Sequence, residues 1–241
     1  IIRLEETDST NRLMKQLVRE QRPEEGSLVI ADHQTGGRGQ MGNSWYSAKG
    51  DNLLFSLLIY PQQLPANESF ILSRIASLAV KNILDLFVDD IRIKWPNDIY
   101  WKEKKIAGIL IENDIQGKEI DNSVIGIGLN INQQTFPPDL PNPVSLWQIT
   151  GAEHDREHLL DLFMREFFLL YRDLQNGRKQ VIEDEYMFDL YRINDYYWFE
   201  DKGGKFRAKI EAVLPSGHLV LRTMETKEER RYAFKEVAFV D

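Results

Sequence analysis

Residues 91–132 run I-R-I-K-W-P-N-D-I-Y-W-K-E-K-K-I-A-G-I-L-I-E-N-D-I-Q-G-K-E-I-D-N-S-V-I-G-I-G-L-N-I-N, and this stretch decides the fold. Apolar residues alternate or run together over 91–95, 99–101, 106–112 and 124–132, which predicts a series of β-strands. The charged stretch from Lys102 to Lys105 reads as the tight turn between two of them. Gly126 and Gly128 alternate with large aliphatics, so both fall on one face of a strand. Glycine weakens a strand. Two on one face mean that something approaches the backbone closely there, either a planar ligand or a packed helix.

Outward from this stretch, residues 1–5, 27–31 and 52–60 also read as strands, the last stopped by Pro61. Asp8-Ser9-Thr10-Asn11 offers N-caps for a short helix that carries Leu13, Met14, Leu17 and Val18 and ends near Arg22-Pro23. Long core-facing helices are predicted over 69–88 and 156–174, with a further helical piece at 181–191. Pro137, Pro138, Pro141 and Pro143 mark an extended loop. After Ile193 the pattern changes to closely spaced aromatics and short strands separated by Gly203-Gly204 and Pro215-Ser216-Gly217. The organisation predicted is an α/β or α+β domain over 1–192, followed by a small β-barrel over 193–241.

The 241 residues are 42% hydrophobic and 28% charged, the balance of a soluble globular chain, and include no cysteine. Disulfides, thiolate nucleophiles and Cys-ligated metal sites are thereby excluded. Thirty Lys+Arg against 38 Asp+Glu leave a net charge of −8, a poor balance for binding nucleic acid, though a local basic pocket for one small anion stays open. The long uncharged stretch 52–67 contains Pro61 and Pro65, and no membrane span is predicted. The acidic start I-I-R-L-E-E-T-D lacks the features of a signal peptide, and a cytoplasmic location is expected.

Three clusters can carry chemistry. Gly36, Gly37, Gly39 and Gly42 crowd around Arg38. Such a loop brings backbone N–H groups and a planar cation to a phosphate or carboxylate, and is equally a mobile surface loop with a solvated arginine. K-W-P-N-D at 94–98 places Asn97 and Asp98 after a strand. There they can hold Mg²⁺ or orient a nucleophile, or simply form a turn. Lys105 abuts the apolar strand that follows and is either turned inward or one of several solvated lysines. His154 and His158 stand at helical spacing without an H-E-x-x-H frame.

Taken in order, D-S-T-N at 8–11, H-Q-T-G-G-R-G-Q-M-G-N-S-W at 33–45, K-W-P-N-D-I at 94–99, K-I-A-G-I-L-I-E at 105–112 and G-I-G-L-N at 126–130 resemble the biotin–protein ligases. The resemblance extends to P-S-G-H-L-V-L at 215–221 in the tail. It implies an α+β fold: a mixed β-sheet catalytic domain with helices packed on it, followed by a small SH3-like β-barrel. It implies a two-step reaction in which biotin and Mg·ATP give biotinyl-5′-AMP and pyrophosphate. The ε-amine of a lysine on the biotin carrier domain of a biotin-dependent carboxylase then takes the biotinyl group. ATP, biotin and Mg²⁺ are the small molecules implied, and the protein is expected as a monomer or homodimer.

By the same resemblance Ser9, Thr10 and Gln34 bind the ureido end of biotin. Gly37, Gly108, Leu110, Gly126 and Gly128 line its pocket, with Trp45 over it. Arg38 and Lys105 neutralise carboxylate and phosphate as they meet, with Asp98 as a further catalytic residue and the metal candidate. Gly39, Gln40, Asn52, Asn97 and Asn130 lie toward the nucleotide, together with Arg38 and Lys105.

Two departures stand out. The family's loop usually carries a second arginine where this chain has Gln40. Many members carry a DNA-binding domain ahead of D-S-T-N, whereas seven residues precede Asp8 here, so the form without that domain is expected and no specific operator binding. The competing readings are a lipoate–protein ligase and a non-catalytic biotin-binding module. The polar set Ser9, Thr10 and Gln34 argues against the first, and the cations Arg38 and Lys105 against the second.

Overall fold

The computed structural model describes residues 1–240, for Met41 the backbone only. Strand β1 (Ile2–Thr7) leads into helix α1 (Thr10–Gln21), followed by β2 (Leu28–Gln34) and β3 (Leu53–Ile59). Helix α2 (Phe70–Leu84) precedes β4 (Ile91–Lys94), β5 (Asp98–Trp101), β6 (Lys104–Gln116) and β7 (Glu119–Leu129). These strands form a seven-stranded mixed sheet in the order β1-β2-β3-β7-β6-β5-β4. In it β1 and β2 pair parallel and the other neighbours antiparallel.

Helices α3 (Leu146–Thr150), α4 (Arg156–Gln175) and α5 (Lys179–Phe188) come next. The chain closes with β8 (Tyr197–Asp201), β9 (Gly204–Val213), β10 (Leu219–Thr223), β11 (Glu229–Tyr232) and β12 (Val237–Phe239). These last five make a separate antiparallel sheet in the order β11-β10-β9-β8-β12. The α+β class expected from the sequence is the one observed. No helix among the described residues is long and apolar enough to cross a membrane.

The large sheet is covered unequally on its two faces, and this creates room for a site. All seven residues of β3 are buried, because apolar layers lie on both sides of it. Phe55, Leu57 and Ile59 join the main core with α2 and α4, while Leu58 packs on the other side with Met14 of α1, Val29 and Val124. Helix α1 is short: Ser9 caps it, its hydroxyl accepting from the Arg12 N–H, and it stops at Arg22, the residue before Pro23. It therefore covers β2, β3 and part of β7, reaches β6 only from Leu110 onward, and leaves the same face around Gly108 and Asp98 to other groups.

Several boundaries differ from those the sequence predicts. Helix α2 ends at Leu84, short of Val88, because the N–H groups of Phe87 and Val88 both donate to the Leu84 carbonyl and wind the chain off the helix. The turn between β5 and β6 is Lys102-Glu103 alone, so Lys104 and Lys105 are strand residues. Helix α3, invisible among the prolines, is fixed by a capping box between Ser145 and Gln148.

The change of pattern after Ile193 marks a change of sheet within one shared core. Phe199, Ile210, Leu219 and Leu221 of the second sheet belong to the same contiguous apolar cluster as Ile75 and Ile93. Arg74 of α2, 2% exposed, donates to the Val213 carbonyl and pairs with Glu183 of α5. A chain ending at Arg192 is accordingly expected to lose the cooperative thermal transition of the full chain. Calorimetry checks this, and a sharp transition close to that of the full chain would show two independent cores.

Candidate active site

The register of the large sheet builds the site floor. Side chains alternate across a strand, so on β7 Ile125, Ile127 and Leu129 enter the helix-side core while Gly126 and Gly128 face the open side. Gly128 lies opposite Gly108 of β6, and Gly108 opposite Asp98 of β5. One row away, Gly126 lies between Leu110 of β6 and Ser56 of β3. The result is a trough with a backbone floor.

Two groups use that floor, which resolves the alternatives the sequence leaves open. A Cβ on Gly126 would stand 2.8 Å from Cγ of Asn11, so a helix-terminal side chain occupies that position. A Cβ on Gly128 would stand 2.8 Å from Cζ2 of Trp45, and one on Gly108 2.9 Å from its Cζ3. The Trp45 indole thus lies in the trough itself, its Nε1 buried and without a hydrogen-bond partner. The cavity left beside it measures about 90 Å³.

At the α1 end the lining is polar and tightly ordered. Gln34 Oε1 accepts from the Thr10 N–H at 2.8 Å and from its hydroxyl at 3.2 Å. Ser56 Oγ lies 2.8 Å from Thr10 Oγ1 and 2.6 Å from Asn11 Oδ1. Asn11 Nδ2 donates to the Leu110 carbonyl and to Glu112 Oε2. Ser9, Thr10 and Asn11 are all buried. The loop is fastened to this end as well, since the Gly36 N–H donates to the Asp8 carbonyl at 2.9 Å.

The other end is charged. Lys105 Nζ sits 2.7 Å from Asp98 Oδ1 and 5.5 Å from the centre of the Trp45 ring. Arg38 of the loop lies instead toward the α1 end, 3.7 Å from Glu112, the carboxylate that also meets Lys15 of α1 and accepts from Asn11. Asn97 is buried and fixed, its Nδ2 donating to the Ile109 carbonyl at 2.6 Å. Burial pushes the Tyr100 hydroxyl up from its ordinary value, and the Asp98 charge adds to the shift.

Of the residues singled out from the sequence, Ser9, Thr10, Gln34, Arg38, Gly39 and Gln40 line this cavity. So do Trp45, Asn97, Asp98, Lys105, Gly108, Leu110, Gly126 and Gly128. Asn130 lies apart, in the wall of a neighbouring cavity of about 500 Å³ that shares Trp45 and Lys105, a volume suited to a small-molecule ligand. Its Nδ2 donates to the Val144 carbonyl, while its buried Oδ1 has no partner.

Two residues stand outside both linings. Gly37 is behind the trough, where a Cβ would collide with the Trp45 carbonyl; its place is to let the loop fold back on itself. Asn52 is fully buried and structural, donating to Ser47 and Gln133 and accepting from the Ile131 N–H at 2.9 Å. Sequence reasoning missed Asn11, although it sits in the D-S-T-N motif, and Phe234, which reaches the cavity from the second sheet with no motif to mark it.

The donor set does not fit a resident metal. Asp98 is engaged by Lys105, and among the described residues no three His, Asp or Glu side chains gather as ligands. His154 lies against the Phe87 ring with Nε2 2.8 Å from Thr150 Oγ1.

The comparisons with known proteins fall on the same elements. The model of the biotin/lipoate A/B protein ligase family matches residues 4–130, from β1 to the end of β7. The chain is 37% identical over 169 residues to the bifunctional ligase/repressor BirA of Bacillus subtilis, 68% of this chain and 51% of that protein. It thus spans about half the length of the BirA relatives it matches. With the biotin–[acetyl-CoA-carboxylase] ligase of Paracoccus denitrificans it shares 30% identity over 203 residues, 80% of this chain and 83% of the relative. The biotin protein ligase of Aquifex aeolicus, solved in complex with biotin and ATP, superposes with a TM-score of 0.79 at 25% identity, covering 98% of this chain and 97% of that one. The family match takes in more than half of the sequence and includes most of the motifs that build the trough: the chain belongs to the biotin/lipoate A/B protein ligase family.

Proposed function

We propose that this chain is an ATP-dependent biotin–protein ligase. The observation that carries the reading is one trough with a polar, hydrogen-bonding end at Thr10, Asn11 and Gln34 and a cationic end at Lys105, with Arg38 of the loop also in its lining. The two glycine rows of its floor are about 7 Å apart, two residues of strand rise, a separation that suits a bicyclic head at one end and a carboxylate at the other. The polar end pairs with a ureido group. The cationic end holds the carboxylate against the α-phosphate of ATP, whose nucleoside takes the adjoining cavity beside Asn130.

In the first step a biotin carboxylate oxygen bonds to the α-phosphorus and pyrophosphate leaves. Lys105 offsets the negative charge that gathers as the two anions meet, joined by Arg38 when the loop brings it across from Glu112. In the second step the amine of a carrier lysine attacks the acyl carbon and AMP leaves with the bonding electron pair. The carrier ammonium first gives up a proton to become that amine, and Asp98, beside Lys105, is the carboxylate of the lining that can take it. Mg²⁺ enters as part of the nucleotide substrate.

Pyrophosphate release from ATP with biotin, set against lipoate, tests the reading. Turnover with biotin and transfer to a carrier domain support it. Turnover with lipoate alone makes the chain a lipoate ligase, and biotin binding without pyrophosphate release makes it a binding module.

Gln40 adds an expectation. Its neutral amide replaces a second loop arginine, and a neutral hydrogen bond is roughly half as strong as a charge-assisted one. Biotinyl-AMP is therefore expected to leave about fivefold faster than from Gln40→Arg, a difference of about 1 kcal/mol. Lys49, the other basic side chain on this segment, pairs with Glu5 at 3.5 Å. Stopped-flow release of the intermediate checks this, equal rates meaning that another group compensates.

A further inference from the structure

We propose that Phe234 is the wall that keeps water off the activated acyl group until the carrier amine arrives. The inference rests on the adenylation reading above and goes beyond it by giving the second sheet a residue in the site.

Among the described residues, Phe234 is the second sheet's one contribution to the lining of the trough. It stands in the turn between β11 and β12, half-buried. Its ring meets that of Trp95 edge-on, 6.2 Å between centres at 71°. Trp95 is in turn immobilised, 4% exposed, with Nε1 donating to the Gly217 carbonyl at 2.9 Å. Trp95 opens the turn that carries Asn97 and leads into Asp98 of β5, so the second sheet grips the charged end of the trough at two points.

The rest of that end attracts water. Asn97, Asp98 and Lys105 are polar or charged, and Trp45 rides on the glycine loop. A mixed anhydride formed there meets two nucleophiles. With the carrier amine, a C–N bond forms, the acyl C–O bond to phosphate breaks, and AMP leaves. With water, a C–O bond forms, the same bond breaks, a water proton goes to solvent, and biotin and AMP are wasted. Excluding water from a reactive intermediate takes an apolar surface held in place, and Phe234, backed by Trp95, supplies one.

The test is a single-turnover reaction of the full-length protein with biotin and labelled ATP and no carrier. Samples are split: one half is quenched and resolved into intact biotinyl-AMP and AMP, and the other is passed through a protein-retaining filter to give the free biotinyl-AMP. For Phe234→Ala the ratio of AMP to biotinyl-AMP is expected to rise about tenfold over wild type. Phe234→Leu, which keeps an apolar surface, should stay near wild type. Phe234→Val should fall between, and carries the test if alanine loosens the turn. A rise in free but intact biotinyl-AMP, with the ratio unchanged, would mean escape without hydrolysis and would overturn the proposal. An unchanged ratio in a Phe234→Ala protein that melts like wild type overturns it too, leaving the adenylation reading standing. Wild type that forms no adenylate from biotin takes both down together.

Discussion

Lys105→Ala is expected to slow biotinyl-AMP formation by about 2–4 kcal/mol of barrier, roughly 30- to 1,000-fold. The ammonium sits 2.7 Å from Asp98, at the end of the trough where two anions are to be brought together. Removing it withdraws a positive charge and leaves the Asp98 carboxylate unpaired in the same place, so the incoming carboxylate and phosphate meet repulsion where they met attraction. Lys105→Arg keeps the charge on a broader head and should recover part of the rate. The measurement is the pre-steady-state burst of pyrophosphate with saturating biotin and ATP. A Lys105→Ala rate within a few-fold of wild type would make the lysine a partner for Asp98 and nothing more.

Gly126→Ala is the second large effect. The new methyl would stand 2.8 Å from Asn11 Cγ and 3.0 Å from its Nδ2. Asn11 has nowhere to go, because it is buried and bonded to Ser56, the Leu110 carbonyl and Glu112. Overpacking of this kind costs about 1–3 kcal/mol, and the displaced Asn11 drags Thr10 and Gln34 out of alignment. Biotin affinity is expected to fall at least about tenfold, with a lower Tm. Isothermal titration against biotin checks the first and thermal melting the second. An unchanged Kd would show that the polar end of the trough does not contact the ligand.

What the sequence made legible was local. Alternation over 91–132 predicts β4 to β7, and the spacing of Gly126 and Gly128 predicts a crowded strand face, because strand periodicity is written in adjacent residues. The occupants of that face are not written there. Asn11 and Trp45 come from elements about 80 to 115 positions away in the chain, and their packing is set by tertiary register. Asn52 has the composition of a ligand-binding residue but turns inward, since the loop at Ser47 and Gln133 needs its amide. Phe234 reads as one aromatic among many in the tail, and only the seating of the second sheet on Trp95 brings it to the site. The shift of pattern at Ile193 is likewise real at the level of strands, yet the core runs through it, because burial follows three-dimensional contact and not the order of the chain.

The indole of Trp45 lies on Gly108 and Gly128, and this position is expected to set the tempo of ligand entry. A molecule that needs this floor should then have to wait for the ring to swing aside. At high ligand concentration the observed association rate then stops rising and levels off at the frequency of that swing, the same plateau for every ligand that uses the floor. The apparent affinity is the intrinsic one multiplied by the fraction of time the ring spends aside, so a change that holds the ring aside and leaves Arg38 and Gln40 in place tightens binding without adding a contact. Trp45 is also its own reporter: its emission should change with each displacement, allowing the plateau to be read directly from tryptophan fluorescence.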